Sequence, residues 1–339
     1  MIQFEEAVIG KLILHRIAAE GNSVIGKSPI DYTDDEATVL KKIFLKPFLT
    51  TTQTFEFKHD VNIDYNILFS LARRIYTNDD FTECSENIAQ HLISSSRHPN
   101  IKDGDVFIAK FDGVLMNNKA YAALGIYKFE DKEHFIETAT DAGGVGMNVR
   151  RGIGNKKPDK ACLILFSDEP YTLLVVDSNP NETDYWQRDF INHRPKNDDI
   201  NNTNSFLTLT KNFITTQIQE DFEVTRTDQI DLLNRSVDYF KKRETFDKKE
   251  FEETVFGDPS VIESFRRFDK HYQQDHELDL SDSFDIASQV VKKQARIFKS
   301  VLKLDKNFHI YIHGNRELIE QGVDEKGRKY YKIYYEQEL

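Results

Sequence analysis

The chain has 339 residues, with 57 Asp or Glu against 45 Lys or Arg, so its formal net charge is −12. An apolar content of 39% is enough for a sizeable core and excludes a disordered acidic protein. No run approaches the roughly 18 apolar residues of a membrane helix, and the first residues lack the basic region of a signal peptide. Cys84 and Cys162 are too few for a disulfide framework. We expect a soluble, cytoplasmic protein with no membrane segment.

The first half of the chain combines helical and extended patterns. Thr33 precedes Asp34, Asp35 and Glu36, which is typical of an N-cap followed by an acidic first turn. Two more helices are predicted from apolar spacing, over residues 64–76 and 83–95. Runs of β-forming residues predict strands over residues 104–111, 121–129, 161–166 and 171–176. Because short turns join neighbouring strands, we expect an antiparallel sheet with helices, an α+β arrangement.

A stretch rich in Asn and Asp divides the chain over residues 192–204. These side chains compete for backbone hydrogen bonds, and Pro195 removes a donor, so the pattern predicts a loop. We interpret this loop as a linker between an α+β domain over residues 1–191 and a second domain over residues 205–339.

The pattern of the second half predicts helices followed by a small antiparallel sheet. Asp247 with Glu250 three residues later indicates a helix start, and Gly257 a helix stop. Asp258 followed by Pro259 indicates the start of another helix. Strands are predicted near the end of the chain, over residues 295–304, 308–313 and 328–335.

A glycine-rich segment over residues 143–154 runs into a group of cations. It lacks the last glycine of a dinucleotide-binding fingerprint, so a hairpin is the favoured interpretation. The cations that follow are Arg150, Arg151, Lys156, Lys157 and Lys160, with Asp159 opposing them. Clustered cations beside exposed backbone amides suit phosphate oxygens, which makes nucleic-acid contact the alternative.

No pattern indicates a catalytic or metal centre. His271, Asp275, His276 and Asp279 lie close together, yet no His-Glu-x-x-His arrangement is present, and a solvated helix end is the favoured interpretation. His309 and His313 share one strand face with no nearby carboxylate or cysteine. We predict no metal, no cofactor and no enzymatic activity, with dispersed carboxylates of a metal-dependent nuclease or hydrolase as the alternative.

The clearest charge signal lies near the C-terminus. Residues 286–339 hold eleven cations and seven carboxylates, whereas the preceding residues carry a net charge of −16. The candidate phosphate-contacting residues here are Lys292, Lys293, Arg296, Lys299, Lys303, Arg328, Lys329 and Lys332. Tyr330, Tyr331, Tyr334 and Tyr335 interleave with the last of them, a mixture that can hold phosphates and stack on bases. A solvated edge strand would also carry lysines, which discourage aggregation.

Five stretches together resemble the bacterial nucleoid-associated protein family of the NdpA type. They span residues 104–111, 121–127, 151–161, 185–190 and 298–310. The resemblance implies a cytoplasmic protein found with the nucleoid that binds DNA without a known catalytic activity, and it implies no particular contact residues.

The favoured hypothesis is therefore a non-catalytic nucleoid protein that contacts DNA phosphates through a localised basic surface, with RNA as the alternative polymer. A second hypothesis is an interaction module that a protein partner recruits to the nucleoid. A symmetric homodimer would double either surface.

Overall fold

The computed structural model describes residues 2–18, 21–96, 101–141, 144–154, 156–178, 185–276, 278–295, 301–312 and 318–337. The chain divides into two compact units, Met1–Lys196 and Asn197–Leu339. Both units contain helices and antiparallel strands, so the predicted α+β class is confirmed. None of the helices in these ranges has the length and apolar character needed to cross a membrane.

The first unit is built on one large antiparallel sheet. Its strands are β1 (Ile2–Gln3), β2 (Val8–Ile17), β3 (Phe55–Phe57), β4 (Gly104–Met116), β5 (Lys119–Phe129), β8 (Lys160–Leu165), β9 (Thr172–Asp177) and β10 (His193–Pro195). The order across the sheet is β1-β4-β5-β8-β9-β3-β10, and β2 also pairs with β4. The predicted strands form the centre of this sheet because their apolar runs are covered on both faces.

Helices cover both faces of this sheet. They are α1 (Asp34–Leu45), α2 (Ile67–Asn78) and α3 (Phe81–Ser95), with a π-helical segment at Tyr185–Ile191. Residues of α2 and α3 share one core with Ile108, Ile126 and Trp186. On the other face Phe44 of α1 stacks on Tyr127, with ring centroids 4.4 Å apart. Because side chains alternate along β5, Ile126 packs on one face of the sheet and Tyr127 packs on the other.

A second, smaller sheet extends from the first unit between β5 and β8. It consists of β6 (Glu133–Asp141) and β7 (Gly144–Gly152), paired in register from Glu133 opposite Gly152 to Asp141 opposite Gly144. This two-stranded sheet is called the ribbon below. The predicted glycine-rich hairpin is confirmed.

The second unit is mainly helical. Its helices are α4 (Asp199–Asn212), α5 (Ile218–Asp221), α6 (Arg226–Lys242), α7 (Lys248–Val255), α8 (Pro259–Asp275) and α9 (Ser288–Gln294). Phenylalanines fill the core between them: Phe206, Phe213, Phe240, Phe246, Phe251 and Phe265. The predicted caps are confirmed, since Asp247 accepts from the amide of Glu250 at 2.9 Å and Asp258 caps the helix that begins at Pro259.

Three two-stranded pairs complete the second unit. They are β11 (Thr245–Asp247) with β12 (Ser283–Asp285), β13 (Val301–Leu304) with β14 (Phe308–Tyr311), and β15 (Ile319–Val323) with β16 (Lys329–Ile333). A small apolar cluster of Ile230, Leu302 and Ile312 supports the last two pairs. The predicted helices followed by small antiparallel strands are confirmed for the described residues.

The prediction of a loop over residues 192–204 is wrong. Residues His193–Pro195 form β10, which pairs with β3, and α4 begins at Asp199. Asp198 caps this helix by accepting from the amide of Asn201 at 3.0 Å. The Asn and Asp side chains therefore complete a helix start instead of a loop, and the division between the two compact units falls within this stretch.

Two other boundaries differ from the prediction. The helix predicted from residue 64 begins at Ile67, because the side chain of Asn66 accepts from the amide of Phe69 at 2.9 Å and caps it there. In the strand predicted over 295–304, Ala295 instead ends α9 and only Val301–Leu304 are extended. Residues 296–300 lie outside the described ranges.

Candidate nucleic-acid interface

The hairpin of β15 and β16, called the C-terminal hairpin below, has two distinct faces. Ile319 and Tyr331 lie on the inner face and pack against the cluster of Ile230, Leu302 and Ile312. Because side chains alternate along a strand, Tyr330, Lys332 and the following Tyr334 lie on the opposite, outer face. Tyr330 is 47% exposed and Tyr334 40% exposed, so two aromatic rings and a lysine share a solvent face.

Contacts within the hairpin hold these outer side chains in place. The ring of Tyr330 lies across Gly322, whose missing side chain provides the space it occupies. The hydroxyl of Tyr334 donates to Glu320 at 2.8 Å. The ammonium group of Lys332 lies 4.7 Å from the ring centroid of Tyr334. The face is therefore a preformed surface of rings and one cation, with little rotamer freedom left to lose on binding.

Cations at the turn of the hairpin differ in their partners. Arg328 Nε donates to Asp324 at 2.8 Å, and Asp324 also accepts from the backbone amides of Lys326 and Arg328. These hydrogen bonds hold the pKa of Asp324 below its ordinary value. Lys332 lies 3.7 Å from Glu320. Lys326 and Lys329 are exposed, and among the described side chains no carboxylate lies within ion-pair distance of either.

The remaining C-terminal candidates are only partly described. Lys292 and Lys293 lie in the last turn of α9, where Lys292 is exposed and burial lowers the pKa of Lys293. Arg296 and Lys299 lie outside the described residues. Lys303 occupies the third position of β13, paired with His309.

Carboxylates besides Asp159 contact the cations from Arg150 to Lys160. Arg150 Nε donates to Glu137 across the ribbon at 3.0 Å. Lys156 lies 3.3 Å from Asp159, and Lys160 is buried and pairs with Asp177. Glu137 and Asp177 are not evident as partners from the sequence, because strand pairing brings them close from distant positions in the chain.

Arg151 and Lys157 are the exposed cations of this group for which the described residues include no ion pair. Arg151 lines a cavity of about 440 Å³ that also includes Asp105 and Glu130. Lys157 lines a different cavity of about 420 Å³, with Thr50 and Thr52 among its neighbours. Arg151 and Lys157 therefore lie on separate surfaces of the first unit.

A buried charge network that sequence reasoning missed lies at the base of the ribbon. The side chain of Lys128 is fully buried, and its Nζ donates to the carbonyl of Lys102 at 2.7 Å, to Glu130 at 2.8 Å and to the hydroxyl of Tyr185 at 3.1 Å. Desolvation lowers the pKa of Lys128. All three protons of its ammonium group are therefore paired, as a buried charge requires.

Tyr185 lies between two buried lysines in this network. Its ring centroid is 5.4 Å from the Nζ atom of Lys128 and 5.7 Å from that of Lys160. Asp159 accepts from the amide of Glu130 at 2.8 Å, which fixes the chain just before the ribbon begins. The network therefore joins the end of β5 to the start of β8, the two points from which the ribbon extends.

The histidine groups considered as metal ligands make other contacts. Nδ1 of His271 lies 2.8 Å from the carbonyl oxygen of Arg267, and the ring of His276 stacks on Tyr272 with centroids 4.0 Å apart. His309 is exposed on β14, and His313 lies outside the described residues. Among the residues that the structure describes, no group of three His, Cys, Asp or Glu side chains could hold a metal ion.

Comparison with known families identifies the chain. Residues 13–328 match the family described as nucleoid-associated protein YejK. The match covers the large sheet except β1 and the start of β2, the helical core, and the C-terminal hairpin as far as Arg328. The chain belongs to this nucleoid-associated protein family. A search among curated proteins finds no match.

Membership in the nucleoid-associated family confirms the resemblance to the NdpA type. Two of the stretches that carried the resemblance, residues 151–161 and 185–190, meet in the buried network of Lys160 and Tyr185. The whole of β16 lies outside the matched residues, which end at 328.

Proposed function

We propose that this nucleoid-associated protein binds nucleic acid directly on the outer face of the C-terminal hairpin. The observation that carries the proposal is the arrangement of Tyr330, Lys332 and Tyr334 on one solvent face, above a hairpin whose other face packs on an apolar cluster. Exposed aromatic rings that alternate with a cation are the pattern with which sheets bind unstacked bases and phosphates.

The spacing of these side chains suits an extended polynucleotide. Alternate residues on a strand lie roughly 6.6–6.8 Å apart, close to the distance between phosphates of a stretched strand. Each ring offers a face for one base, and Lys332 lies between them. Stacking of this kind depends little on sequence, because every base has a flat aromatic face.

Phosphate contacts are assigned to the cations beside the rings. Lys326 and Lys329 lie at the turn and at the first position of β16, and both are exposed. Lys292 at the end of α9 is exposed as well. The net charge of −16 on the residues before 286 limits attraction to this surface. We expect binding to weaken with salt by a logarithmic slope of about 0.7–0.9 for each phosphate that the exposed cations neutralise. The role is one of binding, and no chemical step is assigned to these groups.

Charge reversal at the hairpin tests the proposal. Affinity for a fluorescent oligonucleotide is measured by anisotropy at several salt concentrations, for the natural chain and for Lys326→Glu with Lys329→Glu. We expect at least about a tenfold loss of affinity at 0.1 M salt, and a logarithmic salt slope smaller by about 0.7–0.9 for each phosphate that the variant no longer neutralises.

A matched variant separates local contact from net charge. Lys42→Glu with Lys46→Glu changes the net charge equally at two exposed positions, at the end of α1 and just after it. We expect less than a twofold change in affinity for this control. Equal losses in both variants, or binding that ignores salt in the natural chain, would contradict direct contact by the hairpin.

A further inference from the structure

A segment over residues 21–32 lies along the outer edge of the large sheet and is called the strap below. β2 pairs with β4 on one side, and on its other side Arg16 exchanges two backbone hydrogen bonds of 2.8 Å with Val24 of the strap. The amide of Ile30 donates to the carbonyl of Leu12 at 2.8 Å. The strap therefore covers a strand edge that would otherwise be available for pairing with another strand.

The middle of the strap is held through a side chain. Between Val24 and Ile30, the amide of Gly26 donates to Nδ1 of His15 on β2 at 3.1 Å. Gly26 also lies so close to β2 that a Cβ atom at this position would collide with the carbonyl oxygen of Leu14. The imidazole of His15 thus supplies an acceptor at the point where the strap approaches the strand most closely.

The imidazole of His15 is enclosed between the sheet and α3. It is 1% exposed and lies on the same face of β2 as Ile13, which belongs to the core shared with α2 and α3. Its partner in the register of β4 is the apolar Val106. Glu86 of α3 and Lys27 of the strap are the charged groups that act on it, and they form an ion pair of 2.6 Å with each other. Because these two charges oppose each other, desolvation is the largest influence on the ring.

We propose that protonation of His15 releases the strap and uncovers the edge of β2. Because Nδ1 accepts from the Gly26 amide, the neutral ring carries its proton on Nε2. A second proton therefore binds Nδ1, which can then no longer accept from Gly26. The carboxylate of Glu86 is already paired with Lys27, so the buried imidazolium is left beside an amide donor. Opening of the strap relieves this cost, because it gives the imidazolium access to water.

The direction of the pH dependence follows from the burial of the ring. With the strap closed the pKa of His15 is lowered to about 4, whereas with the strap open the ring takes up its proton near the ordinary value of about 6.5. Closure is therefore most favourable above pH 6.5 and becomes less favourable as the pH falls toward 4. Between pH 7 and pH 5 the equilibrium constant for opening should rise about 20-fold.

Amide hydrogen exchange at pH 7 and pH 5, without nucleic acid, tests the proposal. After correction for the intrinsic exchange rate at each pH, the protection of the Val24, Gly26 and Ile30 amides should fall about 20-fold. At both pH values these amides should be less protected than those of β8, because the strap opens while the sheet stays folded. Equal protection of the strap and β8 would mean that the strap opens only when the whole unit unfolds, and would overturn the proposal.

The variant His15→Gln tests the assigned group. Its amide oxygen can accept from Gly26 but takes up no proton, so the pH dependence of strap protection should be lost. His91→Gln is the matched control, because burial also lowers the pKa of His91, and its Nε2 lies 2.9 Å from the carbonyl oxygen of Phe190. A pH dependence that persists in His15→Gln, or one that is lost equally in His91→Gln, would contradict release by His15.

The variant Gly26→Ala tests the close approach of the strap without a titratable group. Its methyl group would collide with the carbonyl of Leu14, so the strap amides should exchange at least about tenfold faster at pH 7 while β8 keeps its protection. Gly10→Ala is the matched control on β2, because a Cβ atom there meets Asp112 at an ordinary distance of 3.6 Å. Unchanged exchange in Gly26→Ala, or equal changes in both variants, would show that this contact does not hold the strap.

Discussion

Two exposed hairpins of the described residues, the ribbon and the C-terminal hairpin, differ in what lies behind them. The C-terminal hairpin packs Ile319 and Tyr331 on an apolar cluster, and its outer face shows tyrosines and a lysine. The ribbon has no covered face in the described residues, and one of its exposed faces holds Ile136, Val145, Met147 and Val149. A hairpin with one face already buried can present polar and aromatic groups to a polyanion, whereas the ribbon leaves apolar side chains exposed to solvent.

The ion pairs of the two hairpins differ as well. At the base of the ribbon Lys128 and Glu130 are both buried. On the C-terminal hairpin, Arg328 with Asp324 and Lys332 with Glu320 are exposed to solvent. Buried pairs are costly to break because the remaining charge stays desolvated, and exposed pairs contribute little because water and salt screen them. Substitution of a charged residue at the base of the ribbon should therefore lower the free energy of unfolding strongly. Substitution of a charged residue on the C-terminal hairpin should change it little.

The largest expected effect comes from breaking the buried pair. Lys128→Met leaves Glu130 buried without its cation, and we expect the free energy of unfolding to fall by about 3–5 kcal/mol. Urea titration at pH 7 measures the change. Lys102→Met, which removes an exposed pair with Asp131, is the control and is expected to cost at most about 1 kcal/mol. Similar losses in both variants would contradict the distinction between buried and exposed pairs.

Removing the rings of the outer face is expected to have the next largest effect. Tyr330→Ala with Tyr334→Ala removes two stacking surfaces, each worth about 1–3 kcal/mol, so affinity for single-stranded DNA should fall at least 30-fold. Affinity for a duplex of equal length should fall less, because its bases are not available for stacking. Anisotropy with both probes tests this, and Tyr335→Ala, beyond the end of β16, is the control. Equal losses on both probes would argue against stacking.

The stability of the first unit is expected to depend more on acid than the stability of the second unit. Burial lowers the pKa of His15 on β2 to about 4, whereas the unfolded chain takes up this proton near 6.5. The stability that follows from this difference is therefore present above pH 6.5 and is lost as the pH falls toward 4. At pH 5 His15 alone is expected to contribute a loss of about 2 kcal/mol relative to pH 7, and His193 on β10, whose pKa burial also lowers to about 4, adds to the loss in the same unit. In the second unit the described histidines His271, His276 and His309 are exposed.

The variant His15→Gln tests the assignment of this acid sensitivity. Its amide oxygen can replace Nδ1 as acceptor of the Gly26 amide, a bond of 3.1 Å, but it takes up no proton. Urea titrations at pH 7 and pH 5 should show a difference about 2 kcal/mol smaller for this variant than for the natural chain. His134→Gln on the exposed ribbon is the control. An unchanged pH dependence in His15→Gln would assign the effect to other groups.

Local patterns were sufficient to predict much of the fold. The capping box of Thr33 with Glu36 and the Asp258–Pro259 start each satisfy helix N-terminal amides with residues two or three positions away. Continuous apolar runs predicted β8 and β9 because both faces of those strands are buried. Such features depend on neighbours within a few residues, which the sequence displays directly.

Contacts between distant residues were not predictable in the same way. Asn202 suggested a loop, yet its side chain donates to Asn197 at 3.0 Å and accepts from the amide of Ser281, 79 residues away. Similarly, Arg150 has no nearby carboxylate in the sequence, and strand pairing brings Glu137 to it. A count of charges along the chain therefore overestimates the positive surface wherever a sheet joins distant segments. The tyrosines near β16 were evident in the sequence, but the pattern did not show that Tyr331 packs inward on the apolar cluster while Tyr330 faces outward.

The smallest expected effect is a gain in binding when a carboxylate of the C-terminal hairpin loses its charge. Asp324→Asn retains an oxygen that can accept from the amides of Lys326 and Arg328, so the turn should persist with a stability change under about 1 kcal/mol. Arg328 is then free for phosphate, and we expect affinity to rise two- to threefold, with a steeper salt slope.

An increase in affinity is informative because damage to the fold can only reduce binding. Asp231→Asn on α6, which breaks an exposed pair with Arg235, removes the same charge from another surface of the second unit and should leave affinity unchanged. A gain in both variants would show that net charge alone governs binding. A gain confined to Asp324→Asn would place the polyanion at the turn of β15 and β16, next to the rings of Tyr330 and Tyr334, and not on the ribbon.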